Sequence, residues 1–244
     1  MARSLHRLRS VCLLVPVLGV MIWISPTWDS LRAEDAPPDP DPTRFASDIE
    51  AFEQGDRASP PEPSSILFLG SSSIKLWDLN VWFPEQTLLN RGFGGSQLSD
   101  VIHYADRLIT PSRPRLVIVY AGDNDIAEGK SPERVLKDFL TLSSRIRTLS
   151  PNASIVFLSI KPSLARKDHW PSMRHANRLI NEACDMSAHL HFLDVASPML
   201  DALGAMRPEL YDSDGLHLNN DGYAIWAERL APVLQRFLDN SSAR

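Results

Sequence analysis

Four short segments carry side chains that could perform nucleophilic and acid–base chemistry. They are Gly70-Ser71-Ser72-Ser73, Asn90-Arg91-Gly92-Phe93-Gly94-Gly95-Ser96, Gly122-Asp123-Asn124-Asp125 and Asp212-Ser213-Asp214-Gly215-Leu216-His217. A serine hydroxyl is a weak nucleophile at neutral pH unless a base takes its proton, and an imidazole can be that base. Each segment alone also fits an ordinary loop, because serine, glycine, asparagine and aspartate are common in turns.

Five apolar runs lie before or between these segments and predict β-strands. They are 66–69, 88–90, 116–120, 155–160 and 191–195. Most of these runs are continuously apolar instead of alternating, which is typical of strands covered on both faces in a parallel sheet.

Helical patterns separate the runs. Ser131 and Pro132 form a strong helix start, and apolar residues follow at steps of three and four as far as Leu149. Further helices are predicted for residues 171–188 and 221–238. This alternation predicts an α/β fold, a three-layer α/β/α sandwich around a five-stranded, parallel, flavodoxin-like sheet.

The four polar segments follow strands or precede the last helix. In doubly wound sheets, ligands bind beyond the carboxyl ends of the strands. Their coincidence at one edge of one sheet is therefore a stronger indication of a functional site than any one of them alone.

The four segments resemble, in order, the conserved blocks of the SGNH hydrolases, also called GDSL esterases and lipases. The similarity covers about residues 66–238 and is greatest to members akin to platelet-activating-factor acetylhydrolase subunits and carbohydrate esterases. Individually the motifs are weak, but together and in this order they are specific.

The resemblance implies a role for each block. Ser72 corresponds to the nucleophile, and the Asp-x-x-His block assigns Asp214 and His217 as its acid and base partners. The backbone N–H groups of Ser72 and Gly95 and the side-chain amide of Asn124 are the implied oxyanion donors.

The chain departs from the family pattern at two positions. Ser71 replaces the usual aspartate before the nucleophile, and Ser96 stands where an aspartate often follows the oxyanion glycine. Neither position belongs to the triad of Ser72, Asp214 and His217, so these differences bear on loop hydrogen bonding and substrate preference. Three adjacent serines also leave more than one hydroxyl to consider as the nucleophile.

Other chemistries fit the sequence less well. Ser72 and Lys75 match the Ser-x-x-Lys motif of penicillin-recognising enzymes, but their Ser-Asp-Asn and Lys-Thr-Gly partners are missing from the sequence. No Gly-x-Ser-x-Gly elbow or calcium-binding loop occurs, so we expect neither an α/β-hydrolase fold nor a metal or other cofactor. Two cysteines and a net charge of −5 argue against a disulfide scaffold and a nucleic-acid partner.

The N-terminus predicts export. Arginines precede an uncharged run of 14 residues, 11–24, which suits a secretory signal and is short for a membrane span. We predict a signal peptide or anchor at 1–33, a Pro-rich acidic linker with a short docked helix at 34–63, and the hydrolase domain at 64–240. The expected location is periplasmic or extracellular, with a possible membrane tether through residues 11–24.

Short connections leave little chain for a large apolar lid, which favours a small acyl group such as acetyl on a small-molecule or glycan ester. Trp170 could stack on a sugar, and Lys161 or Arg166 could meet a phosphate or carboxylate, unless these residues only decorate a loop. Acyl transfer to a sugar or lipid hydroxyl, lysophospholipid or thioester hydrolysis, and glycan binding without turnover are the alternatives.

Overall fold

The computed structural model describes residues 37–242, with the side chains of 239–242 excluded. The predicted leader at 1–33 lies outside the described residues. Within the described range, no helix combines the length and apolar character needed to cross a bilayer.

Five parallel strands form one sheet, which confirms the predicted fold class. They are β1 Ile66–Gly70, β2 Leu88–Gly92, β3 Leu116–Tyr120, β4 Ser154–Leu158 and β5 Leu190–Leu193, in the spatial order β2-β1-β3-β4-β5. This order is that of flavodoxin-like sheets. The strand ends differ from the predicted ones by a few residues.

Helices cover both faces of the sheet. The α-helices are α1 Ala46–Ala58, α2 Ser72–Lys75, α3 Leu79–Trp82, α4 Leu98–His103, α5 Ala105–Ile109, α6 Asp123–Ala127, α7 Pro132–Leu149, α8 Trp170–Asp185 and α9 Asn220–Ser242. Short 3₁₀ helices lie at Pro42–Phe45, Leu164–His169, Ser197–Met199 and Pro208–Leu210.

The core has two halves because neighbouring strand residues point to opposite faces. Leu67 and Val117 pack with α4, α5, α7 and α8 on one face, whereas Phe68 and Ile118 pack against Trp226 of α9 on the other. Every residue of β1 and β3 is buried, as their continuous apolar sequences predict.

Strand register aligns the loops that carry the polar segments. Gly70, the last residue of β1, pairs with Gly92 of β2 and with Tyr120 of β3. The residues that follow these three strands therefore emerge side by side at the carboxyl edge of the sheet.

Candidate active site

The position of Ser72 depends on a sharp exit from β1. Gly70 has a φ of 142°, and a Cβ added to it would lie 1.8 Å from the carbonyl oxygen of Tyr120. Only glycine fits there, so the chain can turn at once into α2, whose first residue is Ser72. The hydroxyl of Tyr223 donates to the Ser73 carbonyl at 2.9 Å and ties α2 to α9.

The structure separates the three adjacent serines. Ser71 and Ser73 are buried, while Ser72 is half-buried, and its Oγ lies 3.1 Å from Nε2 of His217. Among the three hydroxyls, that of Ser72 is therefore the one placed to transfer a proton to this imidazole.

Asp214 completes a continuous hydrogen-bonded arrangement. Its Oδ2 lies 2.6 Å from Nδ1 of His217, and its Oδ1 accepts from the backbone N–H groups of Leu216 at 2.8 Å and His217 at 2.9 Å. These two backbone hydrogen bonds, with that from the His217 ring, lower the pKa of Asp214 to about 2. The ionised carboxylate thus holds the imidazole with a proton on Nδ1 and the lone pair of Nε2 toward Ser72.

Gly215 shapes the loop that carries this pair. It has a φ of 64°, and an added Cβ would lie 3.1 Å from Cβ of Leu164. Its carbonyl accepts the N–H of Ala165 at 3.1 Å, which joins the Asp214–His217 loop to the segment that follows β4.

The proposed oxyanion donors lie in the segments that follow β1, β2 and β3. As the first residue of α2, Ser72 has a backbone N–H with no acceptor inside its helix. Gly94 adjoins Ser72, since a Cβ added to Gly94 would lie 3.8 Å from that of Ser72, and a Cβ added to Gly95 would meet no heavy atom within 4 Å. The loop that carries Gly95 therefore passes beside Ser72, with open space at Gly95 itself.

Asn124 is fixed at the same edge. Its Nδ2 donates to the Ser96 carbonyl at 2.9 Å, and its Oδ1 accepts from Arg166 Nη2 at 2.8 Å. The sequence placed Arg166 among possible substrate contacts, but the structure directs its guanidinium to Asn124 and to Asp123, whose Oδ2 is 3.1 Å from Nη1. This contact spans 42 residues of sequence, and no local motif indicates it.

The two predicted substrate contacts, Lys161 and Trp170, have different surroundings. Lys161 has only 1% of its side chain exposed, its Nζ is 3.7 Å from Asp123 Oδ2, and burial lowers its pKa. Its ammonium is thus directed into the interior, because a buried carboxylate attracts it there. Trp170 is partly buried against the core and lines a surface cavity of about 670 Å³ that contains none of Ser72, Asp214 and His217.

Within the described residues, no group of three or more histidine, cysteine, aspartate or glutamate side chains is arranged to hold a metal ion.

The triad itself is open to solvent, with 29% of the His217 side chain and 46% of the Asp214 side chain exposed.

Comparison with known proteins identifies the family of this chain. The model of the GDSL-like lipase/acylhydrolase family matches residues 77–225, which include Gly95, Asn124, Asp214 and His217 and begin just after Ser72. The chain belongs to this family. Its resemblance to the GDSL esterases and lipases is thereby confirmed, and it is a member of a family of ester hydrolases.

Similar proteins extend the comparison. The chain is 25% identical over 211 residues to a GDSL esterase/lipase of Oryza sativa, covering 72% of this chain and 79% of the rice protein. It is 23% identical over 181 residues to an N-acylneuraminate cytidylyltransferase of Escherichia coli, covering 70% of this chain but only 41% of that protein. A solved structure from Streptococcus pneumonia, named for platelet activating factor, has a TM-score of 0.70 at 23% identity and covers 78% of this chain and 92% of its own.

Proposed function

We propose that this chain is a serine esterase that hydrolyses short-chain acyl esters, with acetyl as the preferred group. The observation that carries the proposal is the continuous contact from Ser72 Oγ to His217 Nε2 at 3.1 Å and from His217 Nδ1 to Asp214 Oδ2 at 2.6 Å. Family membership supports ester hydrolysis in general, and the arrangement of this chain's side chains supports the steps below.

Acylation begins when Ser72 Oγ attacks the ester carbonyl carbon while His217 Nε2 takes the hydroxyl proton. Asp214 stabilises the resulting imidazolium through the hydrogen bond from Nδ1. The carbonyl oxygen becomes an oxyanion, which accepts from the N–H groups of Ser72 and Gly95 and from Asn124 Nδ2. The bond to the leaving oxygen then breaks, and the proton on Nε2 passes to that oxygen.

Deacylation repeats the same steps with water. His217 Nε2 takes a proton from the water as its oxygen attacks the acyl carbon, and the oxyanion forms at the same donors. When the tetrahedral intermediate collapses, the bond to Ser72 Oγ breaks and Nε2 returns the proton to that oxygen. The products are the free acid, the alcohol and the unchanged serine.

The preference for a small acyl group rests on the openness of the site. The side chains of His217 and Asp214 are 29% and 46% exposed. A long acyl chain held beside Ser72 would therefore stay partly in contact with water and gain little apolar burial. The exposed triad can also accept an ester on a bulky alcohol, such as an acetylated glycan.

The decisive variant is Ser72→Ala, assayed on chromogenic esters of increasing acyl length. We expect this substitution to lower kcat by at least about 10³-fold, whereas Ser73→Ala, which removes the neighbouring buried hydroxyl, retains activity. A phosphonate ester should label Ser72 covalently, as mass spectrometry of its peptides would show. Undiminished hydrolysis by Ser72→Ala would refute the proposal.

Two further measurements separate the alternatives. In the wild-type chain, we expect kcat/KM to be highest for acetyl, and a rise with acyl length would instead favour a lysophospholipase. Product analysis with and without a sugar alcohol distinguishes acid release from acyl transfer. We also propose that the chain is exported, which fractionation of cells expressing the full chain with and without residues 1–33 would test.

A further inference from the structure

The side-chain amide of Asn124 is held at both ends. Its Nδ2 donates to the Ser96 carbonyl at 2.9 Å, and its Oδ1 accepts from Arg166 Nη2 at 2.8 Å. A flipped amide would place oxygen against the Ser96 carbonyl and an NH₂ group against the guanidinium. Because both contacts would then be unfavourable, the two partners together select one orientation of the amide.

This orientation determines what the amide can donate. Nδ2 carries two hydrogens, and the bond to Ser96 uses one of them. The second is available to a negatively charged oxygen. A hydrogen bond from a cationic guanidinium to Oδ1 also draws electron density from the amide nitrogen, which strengthens Nδ2 as a donor.

We propose that Arg166 is a positioning residue of the oxyanion site, which fixes and polarises the Asn124 amide for the transition state. This inference rests on the proposed esterase function. Arg166 acts through Asn124, so its contribution is made when the oxyanion forms and not when the substrate first binds.

Asp123 holds the Arg166 guanidinium beside Asn124. Its Nη1 lies 3.1 Å from Asp123 Oδ2, while Asp123 Oδ1 accepts the backbone N–H of Asn124 at 3.0 Å. Lys161 Nζ lies 3.7 Å from the same Oδ2, but burial lowers the pKa of Lys161. Both cations thus face the same carboxylate, and Arg166 is the one that also reaches Asn124. Only 19% of the Arg166 side chain is exposed, which limits screening by water.

The turn that carries Arg166 also contacts the triad loop. The backbone N–H of Arg166 donates to the Ser163 carbonyl at 3.2 Å. The backbone N–H of Ala165 donates at 3.1 Å to the carbonyl of Gly215, which lies between Asp214 and His217. The turn at residues 163–166 therefore contacts both the Asp214–His217 loop and the side-chain amide of Asn124.

The test is a double-mutant cycle on an acetyl ester, with Arg166→Ala and Asn124→Ala made singly and together. We expect Arg166→Ala to lower kcat by about 10–100-fold, less than the loss of the donor itself, with KM changed less than about 3-fold. In the Asn124→Ala background the same substitution should change kcat by less than about 3-fold, because the residue it positions is gone.

Three controls sharpen the result. Lys167→Ala removes the adjacent exposed cation and should leave kcat unchanged. Arg166→Lys should not restore activity, since an ammonium cannot replace the fork that reaches both Asn124 and Asp123. Low concentrations of guanidinium should partly restore kcat to Arg166→Ala but not to the double variant. If Arg166→Ala does not fold, Arg166→Met, which keeps the apolar stem, takes its place in the cycle.

The inference would be overturned if the losses of kcat in the two single variants multiply in the double variant. It would also be overturned if Arg166→Ala left kcat unchanged or affected KM alone. These outcomes leave the proposed function intact as long as Ser72→Ala is inactive. Conversely, an active Ser72→Ala variant would remove the esterase proposal itself, whatever the behaviour of Arg166.

Discussion

Replacement of Asp214 by asparagine tests the triad through the direction of a single hydrogen bond. Asp214 Oδ1 accepts the N–H groups of Leu216 and His217 at 2.8 and 2.9 Å, so an asparagine would keep its carbonyl oxygen beneath these donors. Its NH₂ group would then occupy the place of Oδ2, 2.6 Å from His217 Nδ1. The substitution therefore preserves the loop while it replaces an acceptor with a donor.

The reversed hydrogen bond changes the protonation of Nε2, the His217 ring nitrogen that faces Ser72. With Nδ1 forced to accept, the proton of neutral His217 moves to Nε2, which faces Ser72 Oγ at 3.1 Å and can no longer take its proton. A reversed tautomer in a serine triad lowers kcat by about 10⁴-fold, or about 5.5 kcal/mol of transition-state stabilisation. We expect a loss of this size in Asp214→Asn, with KM nearly unchanged.

The assay is acetyl ester hydrolysis near neutral pH, with Asp212→Asn as the matched control on the same loop. Hydrogen bonding lowers the pKa of Asp214 to about 2, so this carboxylate stabilises the fold above about pH 4 and loses that contribution as pH falls toward 2. The wild-type rate should therefore show no titration of Asp214 between pH 5 and 8. If Asp214→Asn keeps more than about a tenth of wild-type kcat, Asp214 does not set the tautomer.

Three further predictions concern the oxyanion donor Asn124, the stability contributed by Lys130 and the reactivity of the Cys184 thiol. Asn124→Ala should lower kcat by about 10²–10³-fold in steady-state assays, because one oxyanion donor is lost. Lys130→Met should lower the free energy of unfolding in urea by about 3–5 kcal/mol, because Lys130 Nζ is buried 3.1 Å from the fully buried carboxylate of Asp125. Burial raises the pKa of Cys184 to about 11, so in a Cys12→Ser background this thiol should react about 100-fold more slowly with a disulfide reagent at pH 8 than in the unfolded chain.

The central strands were predictable because both of their faces are buried. Leu116–Tyr120 is apolar at every position, and the structure places β3 over the same residues. Strand ends are set by more than hydrophobicity: β2 extends to Gly92 because it pairs with β1 through Gly70. The partner's length is a property of the fold, so the sequence of β2 alone does not define where it ends.

The grouping of the triad was predictable from topology. Parallel strands bring their carboxyl ends to one edge, so segments 145 residues apart can meet, as Ser72 and His217 do. The family resemblance selects Ser72 among the three adjacent serines, whereas residue types alone do not, since the choice depends on the backbone turn at Gly70 and on the burial of Ser71 and Ser73.

The direction of a long side chain after a strand is the harder problem. Lys161 and Arg166 both follow β4 at the reactive edge, and the sequence offers each as a contact for an anionic substrate. In the structure both turn toward Asp123, the first residue of α6, which follows β3. A buried carboxylate needs compensating charge, so it draws in the cations that topology places within reach. The same topology that gathers the polar segments thus brings both cations to Asp123, and Arg166 also reaches Asn124, the proposed oxyanion donor.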